Sequence, residues 1–255
     1  MENLMDIIFT PKCAFCGRLG KNICTDCLLL CNRQKHQKCI VCDKISSYGY
    51  THEYCAYIEK RIREEPRRYQ PRRTSHKILP TSIHPPTQLL SCYEYAGLVR
   101  KGITKAKYGR KKFVILKTLS QRGILDIVSQ YHDIASLSTN SILVPIPSSR
   151  SNMKVRGFNQ AEVVAKEFCK VLGLPLKTNL LKRKLDTKRQ HSKTREDRIK
   201  NVSNAFAVSA NLARNKEILL VDDICTTGAT LLAASTTLYA AGVKEVRCLV
   251  LSKVL

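Results

Sequence analysis

No stretch of this 255-residue chain approaches the roughly 20 consecutive apolar residues that a helix needs to cross a hydrocarbon core, so no helical membrane span is expected. The opening segment, MENLMDIIFT, has no basic cluster ahead of a long apolar run, so no export signal is read there. A soluble cytoplasmic protein is the expectation. Acidic residues are scarce: 20 Asp and Glu stand against 44 Lys and Arg, giving a formal charge of +24. Solubility does not require so large an excess, and its field attracts polyanions. With 44% hydrophobic residues the chain is not a disordered polycation, because it can build a core.

Cysteine is plentiful. Eight of the twelve cysteines lie in the first 55 residues, several as C-x2-C pairs. Without an export signal, metal binding in a reducing cytosol is expected rather than disulfides. Cys13, Cys16, Cys24 and Cys27 form C-x2-C-x7-C-x2-C, and Cys39, Cys42, His52 and Cys55 form C-x2-C-x9-H-x2-C. Each C-x2-C turn can present two thiolates to one tetrahedral zinc, and two such pairs complete a closed structural site. One or two zinc ions are expected: the motifs pair in sequence, or interleave, or only one of them is occupied. A region this small depends on metal to fold. Cys31 is left over, and His36, between Lys35 and Lys38, reads as exposed.

Composition divides the chain in three. Residues 1–57 are Cys-rich and turn-rich, residues 58–88 form a basic, Pro-containing linker, and residues 89–255 alternate strand-like and helix-like segments. In this last region LLSCYEY, SILVPIP, EILLVDDI and VRCLVLSKV read as strands. GLVRKGITKAKYG is a short basic helix or turn. A helix is expected through RKKFVILKTLSQRGILDIVSQYHDI, with Ile115, Leu116, Leu119, Leu125 and Val128 at helical spacing. Two more helices are expected over NQAEVVAKEFCKVLG, ending at Gly173, and over TLLAASTTLYAAG, closing at Gly242. Strands alternating with helices, the strands almost continuously apolar, predict a parallel α/β sheet covered on both faces.

The segment Ile218 to Thr230, ILLVDDICTTGAT, carries the most chemistry. A buried strand ends in the adjacent carboxylates Asp222 and Asp223, at the carboxyl edge where open α/β sheets bind ligands. Thr226, Thr227, Gly228, Ala229 and Thr230 then lead into a helix, and their N–H groups and hydroxyls suit a phosphate. Carboxylates for ribose hydroxyls beside a turn for phosphate suit a sugar phosphate. Cys225 reads as a packing residue. Upstream, after SILVPIP, Ser148, Ser149 and Arg150 sit where a second anion can be held, Arg by its bidentate fork. From Lys182 to Lys200 nine basic residues face three acidic ones, a flap, a nucleic-acid surface or a solvated charged helix.

The thirteen positions from Ile218 to Thr230 resemble the signature of type I phosphoribosyltransferases, with Cys225 where an aliphatic residue is usual. The order VPIP, RGFNQA, then Gln190, Arg198, Asn201 and Phe206, then VDDICTTGAT resembles the ComF family, associated with DNA uptake in competent bacteria. YEYAGLVRKGITKAKYGRKK is similar to that family's segment before the sheet. The resemblance implies a phosphoribosyltransferase-like domain over residues 89–255 behind a double zinc ribbon, in which His52 stands in a cysteine position. It implies a site for phosphoribosyl diphosphate or a related sugar phosphate, with Asp222 and Asp223 on the ribose. Thr226 to Thr230 would hold the 5′-phosphate, and Ser148, Ser149 and Arg150 the diphosphate with Mg²⁺. A role with incoming single-stranded DNA, and DNA-uptake proteins as partners, follow from the same resemblance. Whether a transfer is catalysed does not follow from it. The alternative is a non-catalytic nucleic-acid-binding accessory protein that uses the site as a ligand sensor.

Overall fold

The computed structural model describes residues 10–56, 83–108, 113–135, 137, 140–184, 205–209 and 213–254. The basic stretch 60–77 and most of the 182–200 segment lie outside them, as does most of the linker.

Four parallel strands form the centre: β1 (Gln88–Glu94), β2 (Ser141–Pro145), β5 (Glu217–Cys225) and β6 (Glu245–Lys253), in the order β1-β6-β5-β2. Their apolar runs are buried on both faces, as a parallel sheet under helices requires. On one face lie α4 (Phe113–Gln130) and α7 (Gln160–Leu172). Ala161, Val164, Ala165 and Phe168 of α7 are buried at helical spacing. Burying a side chain the size of Phe168 contributes about 1.5–3 kcal/mol. On the other face α8 (Ala229–Ala240) packs against β6 and against a two-stranded antiparallel sheet, β3 (Leu181–Arg183) with β4 (Phe206–Val208). Before the sheet's second strand, α3 (Gly97–Tyr108) precedes α4 and α5 (His132–Ala135) follows it.

Two expectations shift. Leu125 is 52% exposed, and the buried stripe of α4 runs instead through Ile115, Leu116, Leu119, Ile124 and Ile127. Four residues after β2 the chain enters a short helix, α6 (Arg150–Arg156), that was not read from the sequence. Ser149 caps it by accepting from the Asn152 N–H at 3.2 Å.

The cysteine-rich segment, with its short helices α1 (Thr25–Leu29) and α2 (Glu53–Ala56), wraps the outer edge of β1. Gln34 N–H donates to Cys92 O, Glu94 N–H to Asn32 O and Thr51 N–H to Thr87 O, at 2.8 to 3.0 Å. The Gln37 amide bonds both backbone groups of Ser91. Cys13, Cys24, Cys27 and Cys31 join the core on the α4/α7 face, whereas Cys39, Ile40, Val41 and Cys55 join the core on the α8 face. The segment therefore straddles the sheet.

Candidate ligand and metal sites

The carboxyl end of β5 carries the acid pair. Alternation along a strand sends Asp222 and Asp223 to opposite faces. The Asp223 N–H donates back to Asp222 Oδ1 at 2.8 Å. Burial, and then the neighbouring Asp223 carboxylate, push the Asp222 carboxyl well above the usual carboxylate range. Asp223 Oδ2 is buried without a hydrogen-bond partner among the described residues. Its nearest cation is Lys107 Nζ of α3, at 3.7 Å. Lys107 was not among the ligand residues expected from the sequence, which placed it only in a basic run.

Beyond the pair the chain turns through Cys225, Thr226 and Thr227 to Gly228, which precedes α8 with φ of 77° and provides no side-chain cap. Glycine is favoured here on two counts. The dihedral is left-handed, and a Cβ would stand 3.0 Å from Ile40 Cγ1. An uncapped helix start offers N–H donors to an anion. A cavity of about 200 Å³ lies against this turn, lined by Cys225, Thr226, Thr227 and Gly228 on one side and by Ile40, Asp43 and Lys253 on the other. Cys225 is 3% exposed and packs in the core. Ala229 is buried and Thr230 half-buried at the helix start.

Lys253 closes the cavity from the end of β6. Only 4% exposed, it donates to Asp43 Oδ1 at 2.6 Å and to the Val254 carbonyl at 3.3 Å. Asp43 belongs to the turn of the second cysteine motif and also lies 4.0 Å from Lys38 Nζ. No local signal in the sequence pairs residue 43 with residue 253; only the sheet brings them together.

The second loop leaves β2 beside β5, its Ile146 N–H donating to Val221 O at 2.8 Å, so it opens at the same sheet edge. Ser148 Oγ donates to Asn159 Oδ1 at 3.0 Å, and Asn159 Nδ2 donates to the Ile146 carbonyl at 3.0 Å. Ser149 serves as the α6 cap, and Arg150 is exposed in the first turn. Asn159 braces this loop, a role its place in RGFNQA did not assign to it.

The cysteines gather by sequence order rather than interleaved. The donor atoms of Cys13, Cys16, Cys24 and Cys27 lie within 4.8 Å of one another, and so do those of Cys39, Cys42, His52 and Cys55. Cys16 and Cys24 sulfurs are 3.6 Å apart, and Cys42 Sγ is 3.3 Å from His52 Nδ1. In the second group a hydrogen bond from Cys55 draws the Cys39 thiol down to about 4, while Cys55 itself is pushed up. In the first, burial pushes the Cys13 thiol up, but backbone hydrogen bonds at Cys16, Cys24 and Phe15 together bring it down to about 6. Each group thus favours a thiolate among sulfurs that share the remaining protons, a soft donor set that fits zinc. Cys31 stays outside, donating to the Cys27 carbonyl at 3.4 Å, with burial pushing its thiol up to about 11.

Fold and sites together define a phosphoribosyltransferase-like protein with cysteine clusters that can hold zinc ions. Residues 154–254 match the phosphoribosyl transferase domain family. Over 107 residues the chain is 36% identical to competence protein F of Haemophilus influenzae, a match covering 41% of this chain and 47% of that protein. Over 159 residues it is 28% identical to competence protein ComFC of Bacillus subtilis, covering 60% of this chain and 58% of that one. The matches thus span about half the length of these relatives. A solved structure of the allosteric regulatory enzyme of purine biosynthesis aligns with 16% identity over 58% of this chain and 30% of that one, at a TM-score of 0.38, too loose a likeness to argue from. The domain match and the two competence relatives together support a ComF-family phosphoribosyltransferase-like protein.

Proposed function

We propose that the chain binds phosphoribosyl diphosphate or a related sugar phosphate and acts on, or alongside, incoming single-stranded DNA in the cytoplasm. The carrying observation is the cavity at Cys225–Gly228, next to an acid pair at the carboxyl edge of a parallel sheet. In this reading Asp222 and Asp223 accept from the ribose hydroxyls. Thr226, Thr227, Gly228, Ala229 and Thr230 hold the 5′-phosphate through N–H groups and hydroxyls, and Arg150 with Ser148 and Ser149 faces the diphosphate. Residues 1–57 act as a zinc-ribbon-like module, 58–88 as a basic linker and 89–255 as the ligand domain.

Magnesium belongs to the same reading. Among the described residues the groups of three or more metal-donor side chains are the two cysteine clusters, so Mg²⁺ would come with the diphosphate rather than into a protein cage. Asp223 Oδ2, which accepts no hydrogen bond among the described residues, is the donor on the protein side that suits a hard cation. Bound there, Mg²⁺ would neutralise charge on a departing diphosphate. The protein's own part is to orient the ribose and hold the phosphate still.

Titration of the protein with phosphoribosyl diphosphate and Mg²⁺ tests the reading: binding is expected, and its absence overturns it. A second reading, an accessory nucleic-acid-binding protein that senses the ligand, is favoured by one observation. Helix α3 carries the exposed Arg100 and Lys101 at one end and Lys107, against Asp223, at the other. Diphosphate release in the presence of candidate acceptors separates a transferase from a sensor.

A further inference from the structure

The cavity beside the glycine turn has a wall that the phosphate-binding sequence does not supply. Lys253 places a nearly inaccessible ammonium there, 2.6 Å from Asp43, and both residues line the same space as Thr226, Thr227 and Gly228. Enclosing a charge is tolerated only when it is paired. Asp43 provides that pairing, yet its side chain is 44% exposed, on a residue held at φ of 63° in an irregular turn. A carboxylate here stands in a space whose other contributors are an uncapped helix start and threonine residues, groups suited to an anion. At roughly 30 Å³ per water molecule, the cavity of about 200 Å³ holds several waters, enough space for a larger guest. Asp43 has a second cation, Lys38, at 4.0 Å, so it keeps a partner if it releases Lys253.

We propose that Lys253 is a phosphate-binding residue of this site and that Asp43, carried by the Cys39–Cys42 turn, is the anion that occupies Lys253 until a ligand phosphate replaces it. The inference deepens the proposed sugar-phosphate site and rests on it. Ligand entry transfers the ammonium from carboxylate to phosphate, and Asp43 turns towards Lys38. The cysteine turn thereby sets how strongly the empty site holds its own counter-ion.

The test uses the full-length, zinc-replete protein, titrated with phosphoribosyl diphosphate and Mg²⁺ and separately with ribose 5-phosphate, which carries the 5′-phosphate alone. Lys253→Met is expected to weaken both by tenfold or more, and Lys253→Arg to restore most of the loss. Asp43→Asn is expected to tighten both several-fold while lowering the melting temperature of the unliganded protein. Zinc content should stay at the wild-type level in all three. If wild type binds neither probe, the site assignment fails and this inference with it. If wild type binds but Lys253→Met matches it, or Asp43→Asn weakens binding, the inference alone is overturned. Should Lys253→Met not fold, the direction of the Asp43→Asn change decides.

Discussion

Lys107 Nζ stands 3.7 Å from Asp223 Oδ2, joining the helix that follows the first strand to the acid pair at the sheet's carboxyl edge. Both side chains are largely enclosed, 20% and 15% exposed, so the pair is screened less than a surface ion pair. Lys107 offsets the charge of two adjacent carboxylates that would otherwise repel each other and the diphosphate proposed to bind here.

A reversal of charge at Lys107 therefore damages the ligand site. Lys101, Lys105 and Lys107, part of the short basic helix or turn read from the sequence, do not all lie apart from the acid pair. Lys105 is also engaged, donating to the Ala14 carbonyl at 2.6 Å. Lys107→Glu is expected to weaken phosphoribosyl diphosphate binding at least tenfold, about 1.4 kcal/mol. Titration calorimetry checks it; unaltered affinity would remove Lys107 from the site.

For the acid pair, the double variant Asp222→Asn with Asp223→Asn should abolish phosphoribosyl diphosphate binding and leave a cooperative thermal transition. Undiminished affinity in this variant would take the ribose away from these residues.

Asp222 also predicts a pH dependence. Its carboxyl is raised in the folded protein, so between the unfolded value and the raised one the folded state holds more protons than the unfolded state. Stability contributed by this group is present below the unfolded value and declines as pH rises towards the folded value. Raising a carboxyl's titration midpoint by one pH unit costs about 1.36 kcal/mol at neutral pH. Asp222→Asn alone should thus raise the melting temperature near pH 7 by several degrees and flatten its fall with pH from about 4 upward. A melting curve at pH 7 below that of wild type would contradict this.

Protein prepared without chelator should contain close to two zinc ions per chain, and Cys13→Ser or Cys39→Ser should each lower that number by one. Metal analysis giving well under one zinc per chain would count against both clusters as zinc sites.

For nucleic acid, Arg100→Glu with Lys101→Glu is the variant to use, because both residues are exposed and neither contacts the acid pair. Affinity for single strands should fall with salt at a log-log slope of about 0.7 per phosphate neutralised, with little dependence on base sequence. The double reversal should weaken binding and flatten that slope, while phosphoribosyl diphosphate affinity persists. An unchanged slope would return this patch to ordinary solvated surface.

The four central strands, three long helices and the two cysteine groups follow from local signals: apolar runs, 3.6-residue periodicity and chelating spacing. Periodicity misplaces Leu125 by one position, because Ile124 and Leu125 are equally apolar and only the sheet chooses between them. Strands β3 and β4, three residues each, are too short to show a period. The acid pair and the turn from Thr226 to Thr230 were legible because they occupy one segment. Lys107, Asp43 and Lys253 were not, since each is brought to the candidate site by a contact with a remote part of the chain.

Both margins of the sheet are covered. The cysteine segment lies along β1, and Pro175 and Lys177 bond the backbone of Leu143 on the outer side of β2. A sheet sealed on both sides cannot template the addition of a foreign strand. The segment that seals β1 is the one carrying the cysteine clusters, and its displacement would uncover the Ser91, Cys92 and Glu94 backbone groups beside Leu90 and Tyr93. With zinc in these clusters, as proposed, its removal is expected to register less as a reversible melt than as self-association into insoluble material.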